Sequence, residues 1–113
     1  FKSLGFDDHI KLFFPDAVST ERDVNGEPKP VSRDYTPRRY DAAANTLDID
    51  FALHEAGPAT QWAEQAKPGD ILNIGGPRGS LVIPTGFDWH LLIGDDTALP
   101  AIGRRLAELP RNA

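Results

Sequence analysis

The chain has 113 residues, 12 basic and 17 acidic side chains, a formal net charge of −5, and neither cysteine nor methionine. That length allows one modest core, or one domain plus a piece of another. The acidic balance argues against nucleic acid or an anionic membrane as a partner, and the missing cysteines exclude disulfides, thiolate metal ligands and cysteine catalysis within these residues.

Asp7 to Phe14 alternates as a strand, with Ile10, Leu12 and Phe14 on one face and Pro15 ending it. Asp16 to Pro30 is polar, carries the turn signal Asn25-Gly26, and reads as a mobile surface loop. Arg33-Asp34-Tyr35-Thr36-Pro37-Arg38 follows, and a strand is expected from Arg33 to Tyr40. Pro37 disfavours helix at Thr36, and in an extended path Arg33 and Tyr35 share one face while Thr36 and Arg38 share the other. A guanidinium beside a phenol ring suits a ligand with a planar ring and an anionic group. An arginine-rich edge strand paired with nearby acids is the simpler account of this hexapeptide taken by itself.

Leu47 to Leu53 is the clearest strand, with Asp48 and Asp50 on its wet face rather than forming an acid/base couple. After His54, the run Gly57-Pro58-Ala59-Thr60 opens a helix expected over Ala59 to Ala66. Its exposed amides make an anion site, unless they simply meet water. Lys67-Pro68-Gly69-Asp70 is a turn, Ile71 to Ile74 a short strand, and Gly75 to Ser80 a glycine-rich turn that lets backbone approach a ligand. The Lys-Ser/Thr ending of a phosphate-binding Walker loop is absent from it. Short strands, ten glycines and ten prolines suggest a small antiparallel barrel. At Asp88 the pattern changes. Trp89 to Ile93 reads as a buried strand, and Ala98 to Leu109 as an amphipathic helix with Leu99, Ile102, Leu106 and Leu109 opposite Arg104, Arg105 and Glu108. Together they form the opening of a βα unit and place a second domain from residue 88. Asp95 and Asp96 are best read as helix caps, and the isolated His9, His54 and His90 lack metal-ligand spacing. No apolar run reaches the ~20 residues of a membrane span, so no stable membrane insertion is expected.

In order, R-x-Y-T-x-R (Arg33 to Arg38), D-F-x-x-H-x-x-G-P-A-x-x-W-A (Asp50 to Ala63), P-G-D (Pro68 to Asp70), G-P-R-G (Gly76 to Gly79) and G-D-D-T-A-L-P-A-I (Gly94 to Ile102) resemble the siderophore-interacting proteins. These are ferric-siderophore reductases of the ferredoxin-reductase-like superfamily, and the likeness covers Asp8 to about Pro110. R-x-Y-T marks only the superfamily; the G-P-A-x-x-W-A and G-D-x-T-A-L-P-A segments narrow it. Where the family carries glutamate this chain has Asp96, whose shorter reach unsettles any role there.

The resemblance implies a six-stranded antiparallel FAD-binding barrel, here residues 1–87, followed by an α/β NAD(P)H-binding domain that residues 88–113 begin. It implies that Arg33, Tyr35 and Thr36 hold the flavin, with Arg33 on phosphate and Tyr35 against the isoalloxazine, and that His54 lies near the ring. Gly57, Ala59 and Thr60 would present the helix start to the pyrophosphate, Gly76, Pro77 and Gly79 would approach from a turn, and Thr97 and Ala98 would sit where nicotinamide arrives. Arg38, Arg39 and Arg78 are candidates for an anionic ferric siderophore. The implied activity moves electrons from NAD(P)H, or ferredoxin, through FAD to Fe(III)-siderophore in the cytoplasm, with no catalytic acid or base and no resident metal. A general flavin reductase or electron-transfer flavoprotein is the alternative within enzymes, and a non-catalytic siderophore-binding protein the alternative outside them. A chain beginning at Phe1 without methionine reads as an excerpt, expected to lack the first barrel strand and to bind flavin weakly by itself.

Overall fold

A computed structural model describes residues 1–15, 17, 20–53 and 57–113. The elements run β1 (Ile10–Phe14), β2 (Val31–Tyr35), β3 (Arg39–Asp41), β4 (Thr46–Asp48), α1 (Pro58–Gln65), β5 (Asn73–Gly75), a 3-10 turn (Asp96–Ala98) and α2 (Leu99–Glu108). They group into two compact units. The first comprises Phe1–Ile10, Tyr35–Asp50 and Gly76–Ala113; the second comprises Lys11–Asp34 and Phe51–Gly75.

In the second unit, β1 is the central strand of a three-stranded sheet ordered β2-β1-β5. It pairs antiparallel with β5 in the register Lys11–Gly75, Leu12–Ile74 and Phe13–Asn73. The expected alternation of β1 holds, because Ile10, Leu12 and Phe14 are all buried. Trp62 of α1 closes over this sheet, with its ring 6.3 Å from that of Phe14 and 5.9 Å from that of Phe51. The polar stretch after β1 folds back on itself: Arg22 bridges Pro28, and Asp23 Oδ1 accepts from the amides of Asn25 and Glu27.

In the first unit, β3 and β4 form a two-stranded antiparallel hairpin with Arg39 opposite Asp48 and Tyr40 opposite Leu47. Its loop is locally determined. Asp41 Oδ1 accepts from the amides of Ala43 and Ala44, and Asn45 takes a left-handed φ of 55°, which Asn tolerates well. The segment from Arg33 to Tyr40 is therefore two strands rather than one, interrupted at buried Pro37, which has no amide to donate to a ladder. The ladder expected over Leu47 to Leu53 ends at Asp48, although exposed Asp48 and Asp50 still alternate with half-buried Leu47, Ile49 and Phe51. The strand expected over Ile71 to Ile74 lies at Asn73–Gly75, where β1 offers partners. Among the described residues the strands make two separate antiparallel sheets and no closed barrel.

Two features at the C-terminal end differ from expectation among the described residues. No described strand pairs with Trp89 to Ile93; the segment forms no ladder, and Trp89 is 74% exposed. The helix forms where expected, but its faces are mixed: Leu99 and Leu106 are 60% and 62% exposed and Arg104 and Arg105 each 5% exposed, whereas Ile102 and Leu109 are half-buried and Glu108 is exposed as expected. The reason is hydrogen bonding. Arg104 donates through Nη1 to Ser3 Oγ (2.8 Å) and Pro37 O (2.9 Å), through Nη2 to Ser3 O (3.1 Å), and through Nε to Glu108 Oε1 (2.7 Å). Arg105 donates to the carbonyls of Ile83 and Pro84, and its guanidinium lies 5.0 Å from the centre of the Phe6 ring. These bonds satisfy the buried carbonyls of Ser3 and Pro37, where an acceptor left unsatisfied would cost about 1–3 kcal/mol.

Asp8 completes this unit's interior. Its Oδ2 accepts from Ser3 Oγ (2.8 Å), Ser80 Oγ (2.8 Å) and the Gly5 amide (3.1 Å). Burial would push its carboxyl up, but the bonds from Ser80, Ser3 and Gly5 and the Arg104 charge outweigh burial and hold it below the ordinary value.

Two outcomes follow for stability. Leu12→Ala should cost about 3 kcal/mol in urea unfolding, and Leu106→Ala less than about 1 kcal/mol, the reverse of what an inward leucine stripe requires. Because the folded pKa of Asp8 is lowered, its contribution is complete above the unfolded value of about 3.9 and is lost as pH falls through the folded value. The urea midpoint of Asp8→Asn should therefore be lower at pH 6 and fall less between pH 6 and pH 3 than that of the unaltered chain.

Candidate functional site

In the second unit α1 starts at Gly57-Pro58, with Ala59 buried and Gly57, Pro58 and Thr60 half-buried. Pro58 occupies the first turn of α1, supplying a preset φ and no amide. The N-cap, Gly57, contributes no side-chain hydrogen bond, and the bond from Gln61 N to Gly57 O (2.9 Å) leaves the amides of Ala59 and Thr60 ahead of the helix's own ladder. A Cβ placed on Gly57 would meet nothing within 4 Å. These amides carry the positive end of the helix dipole.

Arg33 stands exposed on β2, where its Nη1 donates to Ser32 O (2.7 Å). The neighbouring acid, Asp34, is paired instead with Lys11 Nζ at 2.9 Å. His54 lies outside the described residues. Alongside α1 runs a pocket of about 330 Å³, lined by Pro58, Gln61, Trp62 and Ala66 on the helix and by Phe14 and Ile71 opposite. Sequence reasoning did not anticipate this pocket. Its only local signal is the spacing of Pro58, Gln61, Trp62 and Ala66 along one face of a helix.

In the first unit, Tyr35 ends β2 and Thr36 follows it half-buried. Arg38 is fastened by its amide to Asp48 O (2.9 Å), and its Nε lies 3.6 Å from Asp50 Oδ2. A Cβ on Gly103 would stand 3.1 Å from that guanidinium, so α2 backs Arg38 closely. Arg39 is exposed on β3, as is Arg78 in the glycine-rich turn. That turn starts at Gly76, whose φ of +94° is one that L side chains rarely adopt; its peptide bond to Pro77 is cis. Gly79 is open, with no atom within 4 Å of an added Cβ, and Ser80 next to it bonds Asp8.

Thr97 and Ala98 lie in the 3-10 turn ahead of α2. Asp95 caps that turn as expected, accepting from both the amide and the hydroxyl of Thr97. Those bonds hold the Asp95 carboxyl below its ordinary range. Among the described residues no group of three or more His, Asp or Glu side chains is arranged to hold a metal ion, and no helix is long and apolar enough to cross a membrane. The residues that sequence reasoning missed are Ser3, Asp8 and Arg104. No periodicity marks them, because their partners are far away in the chain.

The family model described as the siderophore-interacting FAD-binding domain matches residues 1–81, and that described as siderophore-interacting protein matches residues 87–113. The NADPH-dependent ferric-chelate reductase of Escherichia coli is 48% identical, the match covering 100% of this chain and 48% of that protein. The ferric vibriobactin reductase ViuB of Vibrio cholerae is 40% identical, over 93% of this chain and 42% of its own length. The crystal structure of a siderophore utilization protein from T. fusca superposes with a TM-score of 0.83 at 45% identity, covering 100% of this chain and 47% of the other. The chain thus spans about half the length of the relatives it matches.

The two ends of the glycine-rich turn should respond differently to a methyl group. Gly76→Ala, at a left-handed φ, should destabilise by about 1 kcal/mol or more, whereas Gly79→Ala should change stability by less than about 0.5 kcal/mol. Thermal unfolding of the two variants checks this.

Proposed function

Because the chain belongs to the family of siderophore-interacting FAD-binding domains, we propose that the whole protein is an FAD-dependent ferric-siderophore reductase. The observation that carries this reading is the start of α1, where a G-P-A-T sequence leaves two amides without a side-chain cap and Gly57 with open space about it. Among the described residues nothing crowds Gly57 or Gly79, so close approach of a bound molecule is the physical reason we assign to glycine at both. The residues present fit FAD in this respect: they offer bare amides for a pyrophosphate and exposed guanidinium groups for charge.

In this reading the amides of Ala59 and Thr60 take the pyrophosphate, and Arg33 supplies a forked charge to a phosphate. Tyr35 offers its ring to the isoalloxazine and Thr36 a hydroxyl, with His54 near the ring. Gly76, Pro77 and Gly79 bring backbone up to the cofactor, and Thr97 and Ala98 border the place where nicotinamide arrives. Arg39 and Arg78, both exposed, attract an anionic siderophore, while Arg38 reaches it only past Asp50. Bound FAD would accept an electron pair from NAD(P)H, or electrons from ferredoxin, and release them singly to Fe(III), whose reduced form a siderophore holds less tightly. The chain's own task is binding, orientation and charge, which requires no acid or base from it. We assign residues 1–87 to a six-stranded FAD-binding barrel, residues 88–113 to the opening of an NAD(P)H-binding α/β domain, and the protein to the cytoplasm, where reduced nicotinamide is supplied.

The whole protein should be purified yellow and, given NADPH and a ferric siderophore, should form Fe(II) that ferrozine traps. Arg33→Ala should weaken FAD about tenfold or more, as expected for loss of a charge-assisted bond. A protein that stays colourless when offered FAD would leave only a siderophore carrier. A yellow protein that oxidises NADPH without forming Fe(II) would leave a general flavin reductase.

A further inference from the structure

Two segments of the first unit carry residues assigned above to the cofactor or the siderophore, Tyr35 to Arg38 and Gly76 to Gly79, and a single, largely buried polar cluster touches both. Arg104 Nη1 donates to Pro37 O at 2.9 Å, the carbonyl between Thr36 and Arg38. The same nitrogen donates to Ser3 Oγ at 2.8 Å, and that hydroxyl donates onward to Asp8 Oδ2 at 2.8 Å. Asp8 Oδ2 in turn accepts from Ser80 Oγ at 2.8 Å, the residue directly after Gly79. Four side chains thus link the carbonyl behind Thr36 to the end of the glycine-rich turn.

Ser3, Asp8 and Arg104 are all buried, so water does not loosen the bonds among them, and a guanidinium and a carboxylate strengthen the cluster. The guanidinium is planar and its fork is rigid, so it also orients what it holds. Gly103, the neighbour of Arg104 on α2, backs the Arg38 guanidinium in the same region.

We propose that Arg104 is a positioning residue which, through Ser3, Asp8 and Ser80, locks the Thr36–Arg38 segment and the Gly76–Ser80 turn into one geometry, so that α2 governs how both meet the cofactor. This rests on the functional reading above for the identity of the cofactor, but not for the lock itself. Loosening either end of the cluster loosens both segments.

The test uses the whole protein carrying this chain, with Arg104→Gln, Arg104→Lys and Ser80→Ala. Ser80 is exposed, so its variant is the mild one should Arg104→Gln fail to fold. Hydrogen exchange of peptides spanning 36–41 and 76–81, without added cofactor, reads the lock. FAD affinity and the visible circular dichroism of bound flavin read its consequence. Ser80→Ala should speed exchange in both peptides, including the distant 36–41. Arg104→Gln should do the same and weaken FAD about tenfold, as expected for loss of a bond to a charged group. Arg104→Lys, which keeps the charge but not the fork, should recover part of the flavin signal. Exchange that rises only beside the altered residue overturns the proposal, as does a lowered melting temperature with exchange in both peptides and FAD affinity unchanged. If the unaltered protein holds no FAD, the functional reading falls, and the exchange data still decide the lock.

Discussion

A buried guanidinium must find acceptors for its donors or cost several kcal/mol, and the first unit is arranged to meet that demand at Arg104. Ser3 contributes a hydroxyl and a carbonyl, Pro37 a carbonyl, and Glu108 a carboxylate from the next turn of the same helix. The acceptors come from three different stretches, so one side chain ties the N-terminal segment, the turn at Pro37 and α2 together. Asp8 does the complementary work, collecting donors from Ser3, Gly5 and Ser80 on one oxygen. An interior of this kind is more directional than an oily one. Hydrogen bonds specify angles as well as contacts, whereas apolar packing tolerates sliding.

The second unit is held by different means. Three alternate residues of β1 face inward, and Trp62 of α1 packs its ring near Phe14 and Phe51. That contact fixes α1 along one side and leaves its start uncapped. The electrostatic character of the start comes from the peptide backbone rather than from any charged side chain, since the first turn holds no acidic residue. A site made of amides and glycines is well suited to phosphate, because the bonds come from groups whose positions the helix already dictates.

Much of this was legible in the linear chain. β1 announces itself by Ile10, Leu12 and Phe14, α1 by Gly57-Pro58 and the run after it, and the cap at Asp95 by its place before Thr97. All are decisions made within about five residues, where φ/ψ preference and local hydrogen bonds prevail. The motifs carrying the family likeness are local in the same sense, which is why the family and the candidate cofactor residues are legible in the linear chain. What no window could reveal was where strands stop and which way a helix turns. Leu47 to Leu53 and Trp89 to Ile93 have the composition of strands, but a ladder requires a neighbour, and only Thr46–Asp48 has one among the described residues.

The chain by itself determined β1, the two helices, its turns, its family and the chemistry on offer at the start of α1, because each depends on near neighbours. Tertiary structure alone decided that α2 presents Arg104 and Arg105 inward and Leu99 and Leu106 outward. The reason is that the carbonyls of Ser3, Pro37, Ile83 and Pro84 lie at least 20 residues from those arginines in the chain yet within hydrogen-bonding reach in space. Periodicity does not mark Arg104 and Arg105 for burial; acceptors distant in the chain draw them inward.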